Sequence, residues 1–209
     1  DKIRVALCSY LYMCKGMNNI VNFSIPLFLN WAGFKNDTHA GGLNDKVLKT
    51  LYFLADIGYV HFMCSKELTR TSCVEIMVDA DWMTSVCNSG ERFAMVYLDE
   101  LESITKYRNE NKKDTHLNFF SVLLVFAYLR RSIPRRQNTL KPEERSEERM
   151  VDRRQRLPEA YNGQYKDIAD ELGLSERVVS KSIEILRKLK LIVLGTPYRV
   201  KNIDGEFRT

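Results

Sequence analysis

The sequence predicts a mainly α-helical protein with small β-hairpin wings, built as two modules of three helices followed by a hairpin. Three observations predict it. Apolar residues recur at helical spacing through most of the chain. Strand-like runs are few and short and sit behind helices. A helix near the end of the chain repeats the apolar pattern of one near its beginning.

The elements follow in order. Ile3, Leu7, Tyr10, Leu11 and Cys14 are spaced for one face of a helix. Ser24 with Pro26 behind it opens a second helix, which Gly33 ends. After a loop over Lys35–Leu43, Asn44 or Asp45 caps a third helix running to Ile57 and closed by Gly58. Tyr59–Met63 and Cys73–Asp79 read as two strands around a polar tip. Three helices and a two-stranded hairpin in that order make a winged helix, over residues 1–79. Residues 80–115 form a mixed connecting segment, with a strand expected over Phe93–Leu98 and a helix over Asp99–Tyr107. His116–Ile133 is a strongly apolar helix that Pro134 ends. It reads as the first helix of a second module, over residues 116–209. Its Phe119, Phe120, Leu123, Leu124 and Phe126 suit the core or, alternatively, a dimer interface. The Arg/Glu-rich stretch at 134–158 reads as a flexible linker or a solvent-exposed charged helix.

The 209 residues are 44% hydrophobic and 28% charged, which excludes collagen-like, disulfide-scaffold and wholly disordered chains. The longest nearly apolar run, Leu117–Leu129, falls short of the ~20 residues that a spanning helix needs. Residues 1–15 lack the features of a secretory signal. A cytoplasmic protein with no membrane association is the expectation. The net charge of +5 is unevenly placed: residues 1–129 carry 13 Lys+Arg against 14 Asp+Glu, residues 130–158 carry 10 against 5, and residues 159–209 carry 9 against 8. A basic excess attracts polyanions through counterion release. Cys8, Cys14, Cys64, Cys73 and Cys87 include no close ligand pair, and His39, His61 and His116 stand far apart, so no metal site is expected. Cys64 and Cys73 fall where they face each other across a hairpin, and reduced thiols are expected throughout.

Tyr165–Leu191 carries the most specific pattern. Ile168, Ala169 and Leu172 point inward from a short helix, Gly173 permits a turn, Leu174 plugs it, and Ser175 caps the next helix. The small Ala169 lets the two helices approach. Ile168-Ala169-Asp170-Glu171-Leu172-Gly173-Leu174-Ser175, then Val178-Val179-Ser180 and Leu186-Arg187-Lys188-Leu189-Lys190-Leu191-Ile192, resembles bacterial winged helix-turn-helix regulators and the similar modules of plasmid and phage replication proteins. The resemblance is clearest over Tyr165–Lys201. It implies binding to double-stranded DNA, in replication initiation of a mobile element or in transcription regulation. Lys190 stands where such modules commonly have glycine. The second wing is expected as Ile192–Leu194, a Gly195-Thr196-Pro197 turn, and Tyr198–Lys201.

A helical wheel at ~100° per residue assigns the faces of the helix Glu176–Leu189. Val179, Ser182, Ile183, Leu186 and Leu189 form the inward stripe, and Arg177, Lys181, Glu184 and Lys188 gather at the opposite pole with Ser180 beside them. A helix fits the major groove, where Arg or Lys pairs with guanine and Glu accepts from cytosine. Arg177, Ser180, Lys181 and Glu184 are therefore assigned to bases, and Lys188 to phosphate or no contact. Ser175, at the helix start, joins the DNA-binding set. Gln164, Lys166, Tyr198, Arg199 and Lys201 are candidate backbone contacts.

Val47, Leu51, Leu54 and Ile57 map onto Val179, Ile183, Leu186 and Leu189 at one constant offset. The outer faces differ, because Asp45, Lys49, Tyr52 and Asp56 replace Arg177, Lys181, Glu184 and Lys188. An acidic face suits phosphate poorly, and an apolar flank wants another protein surface. The first module is thus expected to pack against a partner, a second copy or the rest of the chain through Leu48, Tyr52 and Ala55, the alternative being DNA reading through Lys46 and Lys49. Nucleotide-binding, hydrolase and zinc-protease motifs are absent from the sequence, so no enzyme activity and no cofactor are expected. Asp79, Asp81, Asp99 and Glu102 read as surface charge. A protein–protein adaptor built on winged-helix scaffolds is the competing functional class.

Overall fold

The computed structural model describes residues 1–64, 67–79, 81–82, 94, 96–111, 118–132, 161 and 163–194, with the backbone of two short strands at 200–201 and 207–208. It is mainly helical, with a small three-stranded antiparallel sheet in the first half. In chain order the elements are α1 (Lys2–Cys14), β1 (Ile20–Ser24), α2 (Ile25–Trp31), α3 (Leu43–Asp56), β2 (Val60–Phe62), β3 (Cys73–Val78), α4 (Leu98–Glu110), α5 (Phe119–Ser132), α6 (Tyr165–Leu172), α7 (Glu176–Lys188), β4 (Val200–Lys201) and β5 (Phe207–Arg208). The linker at 134–158, His116, Cys87 and the turn Gly195–Pro197 lie outside the described residues.

Local chemistry accounts for most boundaries. Asp1 caps α1 by accepting from the Ile3 amide at 2.9 Å. Ser24 accepts from the Leu27 amide at 3.3 Å and Pro26 sits in the first turn of α2. Three expectations change. Ile20–Ser24 is a strand, paired with β3 in the register Val21↔Ile76 and Phe23↔Val74, so the sheet order is β1-β3-β2. Its period-2 pattern, Val21 and Phe23 inward with Asn22 outward, is short and runs straight into a helix start. The cap of α3 is Gly42, and the helix begins ahead of Asn44 and Asp45. Both side chains are taken up by neighbouring loops instead. Finally, Leu98 opens α4 rather than ending a strand, with the Tyr97 amide bonded to Glu100 Oε2 at 2.9 Å.

α5 is the central strut. Ten of its fourteen residues are buried, as expected for a helix apolar on all sides. It packs against α1, α4, α6 and α7. Phe120 stacks on Phe28 and Phe34 with ring centroids 5.8 and 4.6 Å apart, and Phe119 meets Trp31 edge-on at 4.9 Å. Phe119, Phe120, Leu123, Leu124 and Phe126 are all buried within this chain, which leaves them no surface for a second copy. A single apolar cluster runs from Ile3 on α1 to Leu186 on α7. α4 is fastened at both ends: Arg108 Nη2 donates to the Gly33 carbonyl at 2.6 Å, and Glu100 pairs with Arg130 of α5.

None of Cys8, Cys14, Cys64 and Cys73 is in a disulfide. Among the described residues no helix is long and apolar enough to cross a membrane, and no three His, Cys, Asp or Glu side chains gather as a metal site.

Candidate nucleic-acid interface

The candidate interface is built on the turn between α6 and α7. The Gln164 amide donates to Asp167 Oδ2 at 2.7 Å and fixes the start of α6. Gly173 ends it in the left-handed region, φ 63° and ψ 36°, where an L side chain is strained. The Leu174 amide then reaches back to the Ala169 carbonyl at 2.9 Å. Ser175 Oγ accepts from the Val178 amide at 3.4 Å, so Ser175 starts α7 as a cap. Ala169 is buried at the α6–α7 crossing, and Leu174 packs against the core.

The burial of α7 rotates the wheel drawn from sequence. Val179, Ser182, Ile183 and Leu186 are buried as expected, but so is Ile185 at 1% exposure. The inward face is therefore centred between Val179 and Ile185, on a helix that packs against both α5 and α6. The outward face shifts to the other flank, where Glu176, Arg177, Ser180 and Arg187 are exposed. Lys181 and Glu184 are half-buried. Lys188 is exposed and pairs with Glu184, Nζ to Oε1 at 2.9 Å. That contact, with the charges of Lys188 and Lys181 behind it, holds the Glu184 carboxyl below the usual carboxylate range. The same bond holds the Lys188 ammonium above its usual value, helped by the Tyr107 phenol of α4. Glu184 thus has its acceptor occupied by a neighbour, in an exposed pair that competes weakly with other partners.

Of the other sequence-assigned residues, Gln164 and Lys166 are exposed at the start of α6, at the end of that helix away from the turn. Tyr198 and Arg199 lie outside the described residues, and Lys201 is placed by its backbone in β4. The strand pairing at this end of the chain differs from the expected one. Ile192–Leu194 joins no ladder; β4 pairs instead with β5, Val200↔Arg208 and Lys201↔Phe207. Sequence reasoning missed Arg187 as an exposed cation of the face. The signal was Ile185, whose position off the expected stripe announces the rotation.

The two helix exits are built alike. The Ile57, Gly58 and Tyr59 amides reach the Phe53, Ala55 and Leu54 carbonyls, and the Leu189, Lys190 and Leu191 amides reach Ile185, Arg187 and Leu186. The entrances differ. Over the start of α3, Arg70 pairs with Asp45 and donates to the Thr38 carbonyl at 2.8 Å. Asn44, fully buried, donates to Asn36 Oδ1 and to the Arg70 carbonyl at 2.6 and 3.1 Å. The Leu68 amide donates to the Tyr52 hydroxyl at 3.1 Å. The hairpin tip therefore closes over α3. The flank expected to seek a partner is used inside the chain, with Leu48 and Ala55 packed against the core. Lys46 and Lys49 remain exposed beside the acidic, loop-covered start of the helix.

Compared with known proteins, the chain matches no family model, no curated protein and no solved structure.

Proposed function

We propose that the chain binds double-stranded DNA in a sequence-specific manner, with α7 as the reading helix in the major groove. In this reading both halves are winged helix-turn-helix modules, the β4–β5 ladder is the wing of the second, and the first is a scaffold. The observation that carries it is the open N-terminal half of α7, where Arg177 and Ser180 stand exposed directly after a tight left-handed turn. Arg177 and Lys181 suit guanine edges, and Gln164 and Lys166 suit the phosphates that fix register. Ser175 keeps its hydroxyl proton for a phosphate after accepting the cap bond. Action in the cytoplasm, in replication initiation of a mobile element or in transcription regulation, rests on the resemblance over Tyr165–Lys201 and is an analogy of fold.

The test is a salt titration of binding to a mixed-sequence duplex by the whole chain and by the Arg177→Ala, Lys181→Ala double variant. Each lost phosphate neutralisation flattens the slope of log K against log salt by about 0.9, and each lost base contact costs about 1–3 kcal/mol. Unchanged affinity and slope in the double variant would sink the reading and leave the adaptor in its place.

A further inference from the structure

We infer that Lys190 is a phosphate-contacting residue of this interface, its ammonium gripping the DNA backbone just beyond the end of α7; the inference rests on the proposed DNA reading and adds a residue to it. The two helix exits make the same three backbone hydrogen bonds, and the residue that turns each corner adopts a left-handed conformation. In the first half that residue is Gly58, φ 78°, which takes the conformation without strain. In the second half it is Lys190, φ 59°, a residue that pays in backbone strain for a position that glycine fills freely. Nothing within the described chain uses the side chain in return: Lys190 is exposed, and its ammonium makes no hydrogen bond or ion pair with the described residues. A strained residue held in place at a candidate site, without an internal partner, points to an external one.

Position gives that partner its chemistry. Lys190 follows Arg187 by one turn, and both are exposed at the same end of the helix. Lys188 between them is already paired with Glu184. A compact ammonium on a long stem, flanking a helix laid in a groove, reaches a phosphate oxygen rather than a base edge. A purely local role, a cation soothing the carbonyl end of α7, is the rival, but Arg187 and Lys188 already occupy the last turn.

The experiment measures thermal stability and salt-dependent binding to mixed-sequence duplexes for the full chain and for Lys190→Gly, Lys190→Asn and Lys190→Arg. Glycine and asparagine keep the left-handed corner without charge, so the fold survives the change. Expected are melting temperatures at or above the parent's for Lys190→Gly, and a log–log salt slope flatter by about 0.9 for both neutral variants. The loss should be equal on duplexes of different sequence, with the parent slope kept by Lys190→Arg. Neutral variants with the parent's affinity and slope overturn the inference while leaving the DNA reading intact, provided the Arg177→Ala, Lys181→Ala chain loses binding. A lower melting temperature with unchanged binding assigns Lys190 to the helix end and also overturns it. A parent chain with no salt-dependent binding to any duplex overturns both.

Discussion

Replacing Phe120 with alanine tests whether the two halves of the chain fold as one unit. Phe120 is 1% exposed and stacks on Phe28 and Phe34 at 5.8 and 4.6 Å, with Phe119 edge-on at 6.1 Å. It therefore ties α5 to α2 and to the loop behind it. Removing a buried Phe costs about 3–5 kcal/mol, including the ~0.5–1.5 kcal/mol that each ring pair adds beyond burial. Against a total stability of about 5–15 kcal/mol that is a large share. At roughly 2–4 °C per kcal/mol for a chain of this size, the melting temperature falls by about 6–20 °C. Two probes then separate the halves. Both tryptophans of the chain, Trp31 and Trp82, lie in the first half, while far-ultraviolet circular dichroism reports every helix. If α5 joins the halves into one core, fluorescence and dichroism shift together and each stays a single transition. A fluorescence midpoint left at the parent value, with a biphasic dichroism curve, would refute the shared core and restore two independent modules.

Three further outcomes follow from local chemistry. Gly173 has nothing within 4 Å of an added Cβ, so Gly173→Val meets backbone strain alone. It should destabilise by about 1–2 kcal/mol or more in thermal melts, and Gly173→Asn by clearly less; equal costs would point to a clash instead. The Asp45 carboxyl is held below the usual carboxylate range, first by the Gly41 amide and then by Arg70. Its contribution is present above the unfolded value near ~4 and is lost as pH falls through the lower folded value. Denaturation midpoints of the parent and Asp45→Asn should therefore differ at pH 7 and converge in acid, and a gap independent of pH would contradict this. Burial pushes the Cys8 thiol up to about 12, against the opposing pull of Arg4. Thiol titration of the native protein at mildly alkaline pH, read by peptide mapping, should label Cys64 and Cys73 well before Cys8, and early labelling of Cys8 would show that α1 opens readily.

Much of this was legible in the sequence because local codes were strong. Ser24, Pro26, Gly33, Gly58, Gly173 and Ser175 sit at the helix boundaries where their backbone chemistry requires them. What escaped depended on contacts across the chain. β1 is one short strand whose partner, β3, lies far along the sequence, and no local period reveals the pairing. Asn44 and Asp45 have the composition of a cap, yet the loop around Asn36 and Arg70 claims their side chains. The candidate interface showed the same limit. Its residue types were visible, but the direction it faces was set by the burial of Ile185, which turned Arg187 outward, while Glu184 and Lys188 pair at the i,i+4 spacing of the helix itself.

Among the described residues, the starts of α3 and α7 differ in the length of the connection that leads into each. Val47, Leu51 and Leu54 are buried like Val179, Ile183 and Leu186, and the exits make the same backbone bonds, whereas Ile185 is buried where its counterpart Phe53 is exposed and Ser175 caps α7 with its side chain where Gly42 gives α3 none. The chain between α2 and α3, residues 32–42, is long enough to offer Asn36, Asp37 and Thr38 as partners for Asn44 and Arg70. Residues 173–175 turn directly from α6 into α7 and offer only the Ser175 cap. A long loop spends the polar groups at the helix start on internal bonds, and a tight turn leaves those at α7 facing outward. The longer connection thus supplies internal partners for the polar groups at the start of α3, and the three-residue turn leaves Arg177 and Ser180 exposed at the start of α7.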